Sequence, residues 1–308
     1  MNPLAFGVAL IGVISSVFTC FMNCFLLKTF FDSNRKKADM MLFYYRFSLD
    51  VFLGILMVLS LTCTILYSLD MEKFSFLQNF VFFFSLPSSN SGAVREILVL
   101  AVSIERNMAA YTPIFYHNFR QRIPTLSIFL LAVAFGLVEN AVLFGFCDFS
   151  LNPSRNCAAF GCMINTCFLG YWSGHKSFAH ALCFLFSMTL GVKLFILNNF
   201  SKNSSSELSR VNRLALLDAC NVCIFDFIPS FISNRWSNTP FFSFQNIGPY
   251  GAAGKMLGCA IEAFFVWKTL IRKCNLKNSQ SEAGRSQIQI QIQKTSQNPQ
   301  GRISVVEW

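Results

Sequence analysis

Ionisable side chains inside long apolar segments are the residues of this chain that could do chemistry. Arg46 and Asp50 are four residues apart and would share one face of a helix. Arg95 and Glu96 are adjacent, so on a helix they must point to different neighbours. Because a charge at mid-bilayer costs about 2.5 to 3.5 kcal/mol, such residues usually face a bundle interior and have partners. The pattern predicts an intramembrane polar network. Candidate partners for Arg95 are Asp50, Asp226 and Glu262.

Three interpretations of this network stay open from the sequence. The charges could hold helices in register, could re-pair when a ligand binds, or could line a proton or ion path. Lys255 lies about seven residues below the predicted outer surface, where a ligand from outside could reach it. Its positive charge would favour an acidic small molecule.

Catalysis and metal binding have little support in the sequence. The histidines are His117, His175 and His180, and none belongs to a metal-spaced set of His and Glu residues. No Gly-x-Ser-x-Gly nucleophile motif occurs. We therefore predict that the chain is not an enzyme and holds no cofactor and no metal.

A cluster of cysteines marks the second predicted outside loop: Cys147, Cys157, Cys162 and Cys167. An outside loop faces an oxidising compartment, so disulfides that cap the bundle are favoured over a zinc site. Four cysteines allow three pairings, and the sequence alone leaves the choice open.

The elements that must position these residues are membrane-spanning helices surrounded by lipid. With 54% hydrophobic and 13% charged residues in 308, the chain is too apolar for a soluble domain. A helix needs about 20 apolar residues to cross a bilayer, and this rule predicts a bundle of seven. The third segment is predicted to be one helix despite Pro87. The spans are Leu4 to Leu27, Met40 to Leu69, Asn79 to Ala110, Thr125 to Phe146, Phe178 to Leu197, Leu214 to Ile232 and Gly248 to Ile271.

The distribution of basic residues predicts the orientation of this bundle. Lysine and arginine accumulate in cytoplasmic loops, and here they are dense at residues 28–37, 106–122, 202–213 and 268 onward. The alternate loops hold Lys73, Arg155, Lys176 and Arg235. The N-terminus is therefore predicted outside and the C-terminus inside. The net charge of +10 reflects this sidedness, so no nucleic-acid partner is predicted.

Two regions of the chain differ in composition. Residues 1–273 contain all seven predicted spans. Residues 274–308 are rich in Ser, Gln and Lys and cannot bury enough apolar surface to fold alone, so they are predicted to form a disordered cytoplasmic tail.

Glu105 and Arg106 close the third predicted span, and Pro113 follows the arginine by seven residues. A cation at the cytoplasmic end of a helix is favoured by the helix dipole and by the anionic inner leaflet, so Arg106 could be an interfacial anchor. The alternative is a latch of Glu105 and Arg106 whose opening exposes an inner cavity to a partner. Basic residues of the loop Arg120 to Pro124, and Arg210 with Arg213, would complete that contact surface.

An acid-arginine pair at the inner end of the third of seven spans resembles the serpentine G protein-coupled receptors. The resemblance covers residues 4 to 273. Asn23 and Asp50 resemble the polar pair of the first two helices, and Pro229 resembles the kink proline of the sixth. Further stretches resemble the nematode serpentine chemoreceptors of the Srbc class. They are Leu86 to Asn90, Phe160 to Trp172, Asn212 to Ala219 and Gly248 to Tyr250.

This resemblance implies an all-α, seven-transmembrane chemosensory receptor in the cell membrane, in the ciliated endings of sensory neurons. It would bind a small extracellular molecule and signal through a heterotrimeric G protein, whose acidic face would suit the basic inner surface. Asn107 departs from the family pattern, in which a tyrosine usually follows the arginine. The alternative is a multispan ion channel or transporter that uses the buried charges, and it predicts current or uptake without a G protein.

Overall fold

The computed structural model describes residues 3–32, 41–70, 72–120, 122–151, 157, 160–200, 220–221, 223–235 and 250–268. Within these ranges the secondary structure is helical and contains no strand. The chain divides into two compact units, Met1–Phe264 and Phe265–Trp308. In the second unit, residues 265–268 are helical. The elements and contacts described below belong to the first unit.

The helices of the first unit follow one another with short connections where these are described. They are α1 (Pro3–Asp32), α2 (Met41–Leu69), α3 (Leu77–Tyr111), α4 (Pro113–Arg120), α5 (Thr125–Asn140), α6 (Phe160–Met163), α7 (Thr166–Phe200), α8 (Ile228–Arg235) and α9 (residues 250–264). A π-helical turn, Ala141–Phe146, extends α5, and another, Cys223–Phe227, leads into α8.

Three of the described helices are long and apolar enough to cross a membrane by length and composition. They are Phe6–Thr29, Met41–Leu69 and Thr125–Phe146, which correspond to the first, second and fourth predicted spans. Helices α3 and α7 have 35 residues each, but polar and charged side chains such as Arg95 and Lys176 lower their hydropathy. The sixth and seventh predicted spans lie only partly within the described residues.

The third and fifth predicted spans had different outcomes. The third is one helix as predicted, with Pro87 inside it. The fifth was predicted from Phe178 to Leu197; these residues are helical, and α7 begins earlier, at Thr166, so Lys176 lies in a helix and not in a loop. The added turns before Phe178 include polar residues such as Ser173, His175 and Lys176, which an apolar window does not detect.

Helix α3 occupies the centre of the unit, because it packs against α2, α4, α5, α6 and α7. Most of its residues from Ser88 to Arg106 are buried. In contrast, α1 and α5 expose large apolar side chains, for example Phe21 at 67% and Leu131 at 69%. Such exposure suits contact with lipid. The charges of α3 are therefore surrounded by protein, which is where a membrane helix can carry them.

A close approach between α3 and α5 depends on Gly136. A Cβ at this position would lie 2.6 Å from Val94 Cγ2 and 2.9 Å from the Asn90 carbonyl oxygen. Small residues at helix crossings let two backbones approach in this way. Next to the crossing, Asn90 Nδ2 donates a hydrogen bond of 2.9 Å to Asn140 Oδ1.

Candidate functional site

Four charged residues of α2, α3 and α9 form what we call the balanced cluster: Arg46, Asp50, Arg95 and Glu262. Arg95 donates from Nε to Asp50 Oδ1 and from Nη2 to Glu262 Oε2, each at 2.9 Å. Arg46 Nη2 donates to Glu262 Oε2, and Arg46 Nε lies 4.0 Å from Asp50 Oδ2. All four side chains are at most 7% exposed. Two cations and two anions give the group a net charge near zero.

The neighbouring residue on α3 leads to a second group, which we call the cation-rich cluster: Glu96, Lys176, His180 and Lys255. Three nitrogens converge on Glu96 Oε1: Lys255 Nζ at 3.5 Å, His180 Nε2 at 3.5 Å and Lys176 Nζ at 3.9 Å. Glu96, Lys176 and His180 are buried, and the Lys255 side chain is 11% exposed. The cluster joins α3, α7 and α9 and contains one carboxylate for two lysines and a histidine.

Lys176 contacts Trp172, and a chain of hydrogen bonds connects Trp172 to Glu139 of α5. Lys176 Nζ lies 4.1 Å from the centre of the Trp172 ring, a distance suited to a cation–π interaction. Trp172 Nε1 donates to Ser89 Oγ at 2.7 Å, and Ser89 in turn donates to Glu139 Oε2 at 2.8 Å. The other carboxylate oxygen of Glu139 lies 3.2 Å from His175 Nε2. Successive polar contacts of this kind polarise one another and hold the ring of Trp172 in place.

The C-terminal end of α3 is tied to the helix that follows it. Arg120 Nε of α4 lies 2.5 Å from Glu105 Oε1, and the Tyr116 hydroxyl donates to the same oxygen at 2.8 Å. Arg120 also donates to the carbonyl oxygen of Ile123 and to the hydroxyl of Thr125, at 2.8 and 2.7 Å. One guanidinium group therefore links α3, α4 and the start of α5.

Arg106 lies in α3 and Pro113 in α4, on either side of the break between these two helices. Arg106 is 5% exposed, and its guanidinium carbon lies 6.0 Å from the centre of the Phe43 ring on α2. Helix α3 ends at Tyr111, where the Thr112 amide donates to the Met108 carbonyl oxygen. Pro113 is the first residue of α4, a position where proline is tolerated because the amide there has no helical partner.

Asn107 connects α3 to α7. Its amide nitrogen donates to the Phe186 carbonyl oxygen at 2.7 Å, and its amide oxygen accepts from the Thr189 hydroxyl at 2.8 Å. One turn later, the Tyr111 hydroxyl donates to the Thr189 carbonyl oxygen at 2.9 Å. A change in the distance between α3 and α7 would therefore alter the hydrogen bonds at the end of α3.

The four clustered cysteines are present as two disulfides, Cys147–Cys167 and Cys157–Cys162. Around them lies an apolar core that joins the start of α3 to α5, α6 and α7. Its buried members besides Cys157 are Val81, Phe82, Leu143, Met163, Ile164 and Phe168. Gln78 Nε2 donates to the Cys157 carbonyl oxygen at 3.0 Å, which fastens this cap to α3.

The structure brings some of the predicted site residues together and not others. Asp50, Arg95 and Glu262 meet in the balanced cluster, whereas Glu96 and Lys255 meet in the cation-rich cluster. Asn23 is buried, but the hydrogen bond of its amide nitrogen runs to the Thr19 carbonyl oxygen in its own helix. The side chain of Asp226 and residues 274–308 lie outside the described part of the chain.

Lys176 and His180 were not among the predicted site residues. They are four residues apart on α7, with Trp172 four residues earlier, so that all three share one face of the helix. This spacing was the available signal in the sequence. Among the described residues, no group of three or more metal-binding side chains is placed to hold a metal ion.

Two comparisons with known proteins bear on this geometry. A model of the serpentine seven-transmembrane G protein-coupled chemoreceptors of the Srbc class matches residues 1–274. A search of curated proteins found no match to the chain.

Proposed function

Because the chain belongs to the Srbc family of serpentine seven-transmembrane chemoreceptors, we propose that it binds a small extracellular molecule and signals through a cytoplasmic heterotrimeric G protein. The observation that carries this proposal is the family match, which extends over residues 1–274. The family is one of membrane receptors and not of enzymes. The long apolar helices fit a membrane protein.

The proposed orientation is that of the sequence prediction, with the N-terminus outside and the C-terminus inside a multi-pass cell membrane, in a sensory cilium. The excess of basic residues in alternate loops supports it. A glycosylation acceptor inserted between Phe146 and Phe160, or separately after Cys274, tests it in cells. Modification of the loop insertion alone is the expected result, and modification of the tail insertion would reject the orientation.

Helix α3 is the proposed route from ligand to G protein. Both charged clusters lie on its middle, and Glu105, Arg106 and Asn107 lie on its last turns. A ligand that prefers one arrangement of α3 and α7 shifts the population toward that arrangement. The contacts of Asn107 with α7 and of Glu105 with Arg120 would change with it. The proposed switch therefore consists of Glu105, Arg106 and Pro113, with Arg120 as the partner of Glu105.

The experiment expresses the full chain, with an epitope at its N-terminus, in cultured cells. A panel of small alcohols, ketones, amines and carboxylic acids is applied while cyclic nucleotides, calcium and whole-cell current are recorded. We expect a second-messenger response to at least one compound. Arg106→Ala should abolish it with surface staining unchanged, because the substitution removes the cation proposed to take part in coupling.

A matched control is Lys73→Ala, which removes an exposed lysine from the turn that precedes α3 and should leave the response intact. A response that survives Arg106→Ala would contradict the proposed switch. The second candidate function is an ion channel or transporter, favoured by the buried charges of the two clusters. It predicts current or uptake that persists when the G protein is blocked with a non-hydrolysable GDP analogue.

A further inference from the structure

We propose that Thr125, the first residue of α5, is phosphorylated by an arginine-directed serine/threonine kinase and that its phosphate draws Arg120 away from Glu105. This inference rests on the proposed function, because it takes Thr125 to face the cytoplasm and Glu105 to belong to the switch. It adds a regulation of that switch from inside the cell. The argument uses the sequence before Thr125, the contacts of Arg120 and the exposure of the loop.

Two arginines precede Thr125 at the spacing that arginine-directed kinases select. Arg120 and Arg122 lie five and three residues before it, and the apolar Leu126 follows it. Such kinases bind the two guanidinium groups through acidic residues of their own substrate groove, a recognition by complementary charge. Among all serines and threonines of the 308-residue sequence, Thr125 alone has an arginine three residues earlier. The pattern therefore selects one hydroxyl of the chain.

The structure gives the Thr125 hydroxyl a partner that also suits a phosphate. Arg120 Nη2 donates to Thr125 Oγ1 at 2.7 Å, and Nε of the same guanidinium group lies 2.5 Å from Glu105 Oε1. Guanidinium groups bind phosphate in a bidentate manner and more strongly than they bind a neutral hydroxyl. Arg120 therefore contacts the proposed acceptor of the phosphate and the proposed switch at the same time.

The residues around Thr125 are open to an enzyme. Helix α4 ends at Arg120 and α5 begins at Thr125. Arg122, Pro124 and Leu126 are exposed, and Thr125 is half-buried. A kinase must bind this stretch as an extended peptide, so the first turn of α5 has to open. The first amides of a helix have no partners within it, and helix ends open at little cost in free energy.

The modification is a phosphoryl transfer from ATP. A bond forms between the γ-phosphorus and Thr125 Oγ1, the bond from that phosphorus to the oxygen bridging the β- and γ-phosphates breaks, and ADP leaves. The hydroxyl proton passes to the catalytic base of the kinase and then to water. The product carries a charge of about −1.5 to −2 at pH 7. A neutral acceptor is thus replaced by an anion that competes with Glu105 for Arg120.

The test incubates the purified full chain, in a neutral detergent, with magnesium, γ-labelled ATP and protein kinase B, which selects arginines at these two positions. We expect the label on Thr125, located by mass spectrometry. Thr125→Val should abolish incorporation. Arg122→Gln should slow it about tenfold or more, because a charge-assisted contact with the kinase is lost. Absence of label, or label on the nearby Ser127 instead, would overturn the assignment.

The matched control for incorporation is Thr112→Ala. Thr112 is an exposed threonine at the break between α3 and α4, and its hydroxyl donates to the Met108 carbonyl oxygen at 3.1 Å. The residues five and three positions before it are Asn107 and Ala109, so it lacks the arginines of the pattern. Its replacement should leave the labelling rate unchanged. An unchanged rate in Arg122→Gln would reject recognition through arginine.

Competition for Arg120 is tested by the melting temperatures of phosphorylated and unphosphorylated protein, in the wild type and in Glu105→Gln. This variant keeps both recognition arginines and removes the charge that competes with the phosphate. In the wild type the new contact of Arg120 with the phosphate is offset by its lost contact with Glu105. Phosphorylation should therefore raise the melting temperature more in Glu105→Gln than in the wild type. Equal shifts would reject the competition.

The regulation and the proposed function can fail separately. In cells, activation of the kinase should change basal second-messenger output in the wild type and not in Thr125→Val. The change should have the same direction as that of Tyr116→Phe, which removes another bond of Glu105 Oε1. If ligands signal through a G protein but phosphate on Thr125 leaves output constant, the receptor function stands and the regulation is rejected. If phosphorylation and competition occur but no compound evokes a G protein signal, the site stands and coupling is rejected.

Discussion

The two charged clusters begin at adjacent residues of α3 and are built differently. In the balanced cluster, Arg95 makes two contacts of 2.9 Å with the carboxylates of Asp50 and Glu262. In the cation-rich cluster, Glu96 faces nitrogens at 3.5 to 3.9 Å. The first group is held by short ion pairs, and the second by longer electrostatic contacts.

This difference separates two roles for buried charge. A group of short ion pairs holds α2, α3 and α9 in register. The longer contacts between α3, α7 and α9 are weaker, because charge-assisted hydrogen bonds between nitrogen and oxygen have lengths of about 2.7 to 2.9 Å. The same helix therefore combines a rigid joint with an adaptable one, about 100° apart around its axis because the two residues are consecutive.

The largest effect is expected from Arg95→Leu, which removes the arginine that makes contacts of 2.9 Å with both Asp50 and Glu262. Removing one partner from a buried ion pair costs about 3 to 5 kcal/mol, so surface expression should fall steeply. Lys255→Leu should leave surface expression near the wild-type level, because Glu96 keeps Lys176 and His180 as neighbours. The measurements are surface staining and the melting temperature of the purified protein.

A double variant sharpens this comparison. Adding Asp50→Asn to Arg95→Leu removes one of the two carboxylates that lost an ion pair with Arg95 and should restore part of the lost expression. If Arg95→Leu alone reached the cell surface at the wild-type level, the proposed difference between the two clusters would be wrong.

The next effect is expected from the disulfides of the cap. Replacing Cys147 and Cys167 by serine opens a bridge with a separation of 20 residues, and replacing Cys157 and Cys162 opens one of 5. Loop-closure entropy predicts losses of about 3 and about 2 kcal/mol. The first pair also holds the start of α7, so its loss should lower the melting temperature more than the loss of the second pair. Equal losses from the two pairs would contradict this ranking.

Much of the fold follows from the sequence, because apolar length is a local property. The second span was predicted from Met40 to Leu69 and the fourth from Thr125 to Phe146, and the helices have nearly these limits. Part of the polar network also follows, because adjacent residues on a helix must point to different neighbours. Asp50 and Glu262 were both named as candidate partners of Arg95, and both contact it.

The rest of the site depends on how helices rotate against each other, which hydropathy does not record. Lys176 was placed in a loop, because the apolar run begins only at Phe178, two residues later. The approach of Glu262 to Arg46 joins residues that are 216 apart in the sequence. The cysteine pairing likewise required the geometry of the cap, since spacing alone allowed three answers.

A smaller effect is expected from Ser89→Ala, which interrupts the hydrogen bonds between Trp172 and Glu139. A buried donor or acceptor left without a partner costs about 1 to 3 kcal/mol. The melting temperature of the purified protein should therefore fall, while the balanced cluster is unaffected. Ser173→Ala is the matched control, because that exposed hydroxyl donates to the Gly170 carbonyl oxygen within α7. An unchanged melting temperature in Ser89→Ala would show that this chain of hydrogen bonds does not stabilise the fold.

The smallest effect is expected at the C-terminal end of α3. It tests whether the contacts of Glu105 there respond to changes in the two charged clusters. Tyr116→Phe removes the hydroxyl that donates to Glu105 and leaves the contact with Arg120, a loss of about 1 kcal/mol. If this bond holds the resting state, basal second-messenger output should rise about fivefold, the factor that 1 kcal/mol gives in a two-state equilibrium. Tyr45→Phe is the control, because it keeps a ring stacked on Phe129 at 4.6 Å. A fall in basal output would instead show that the bond stabilises the active state. The effect of the two clusters on this end of α3 would then be reversed.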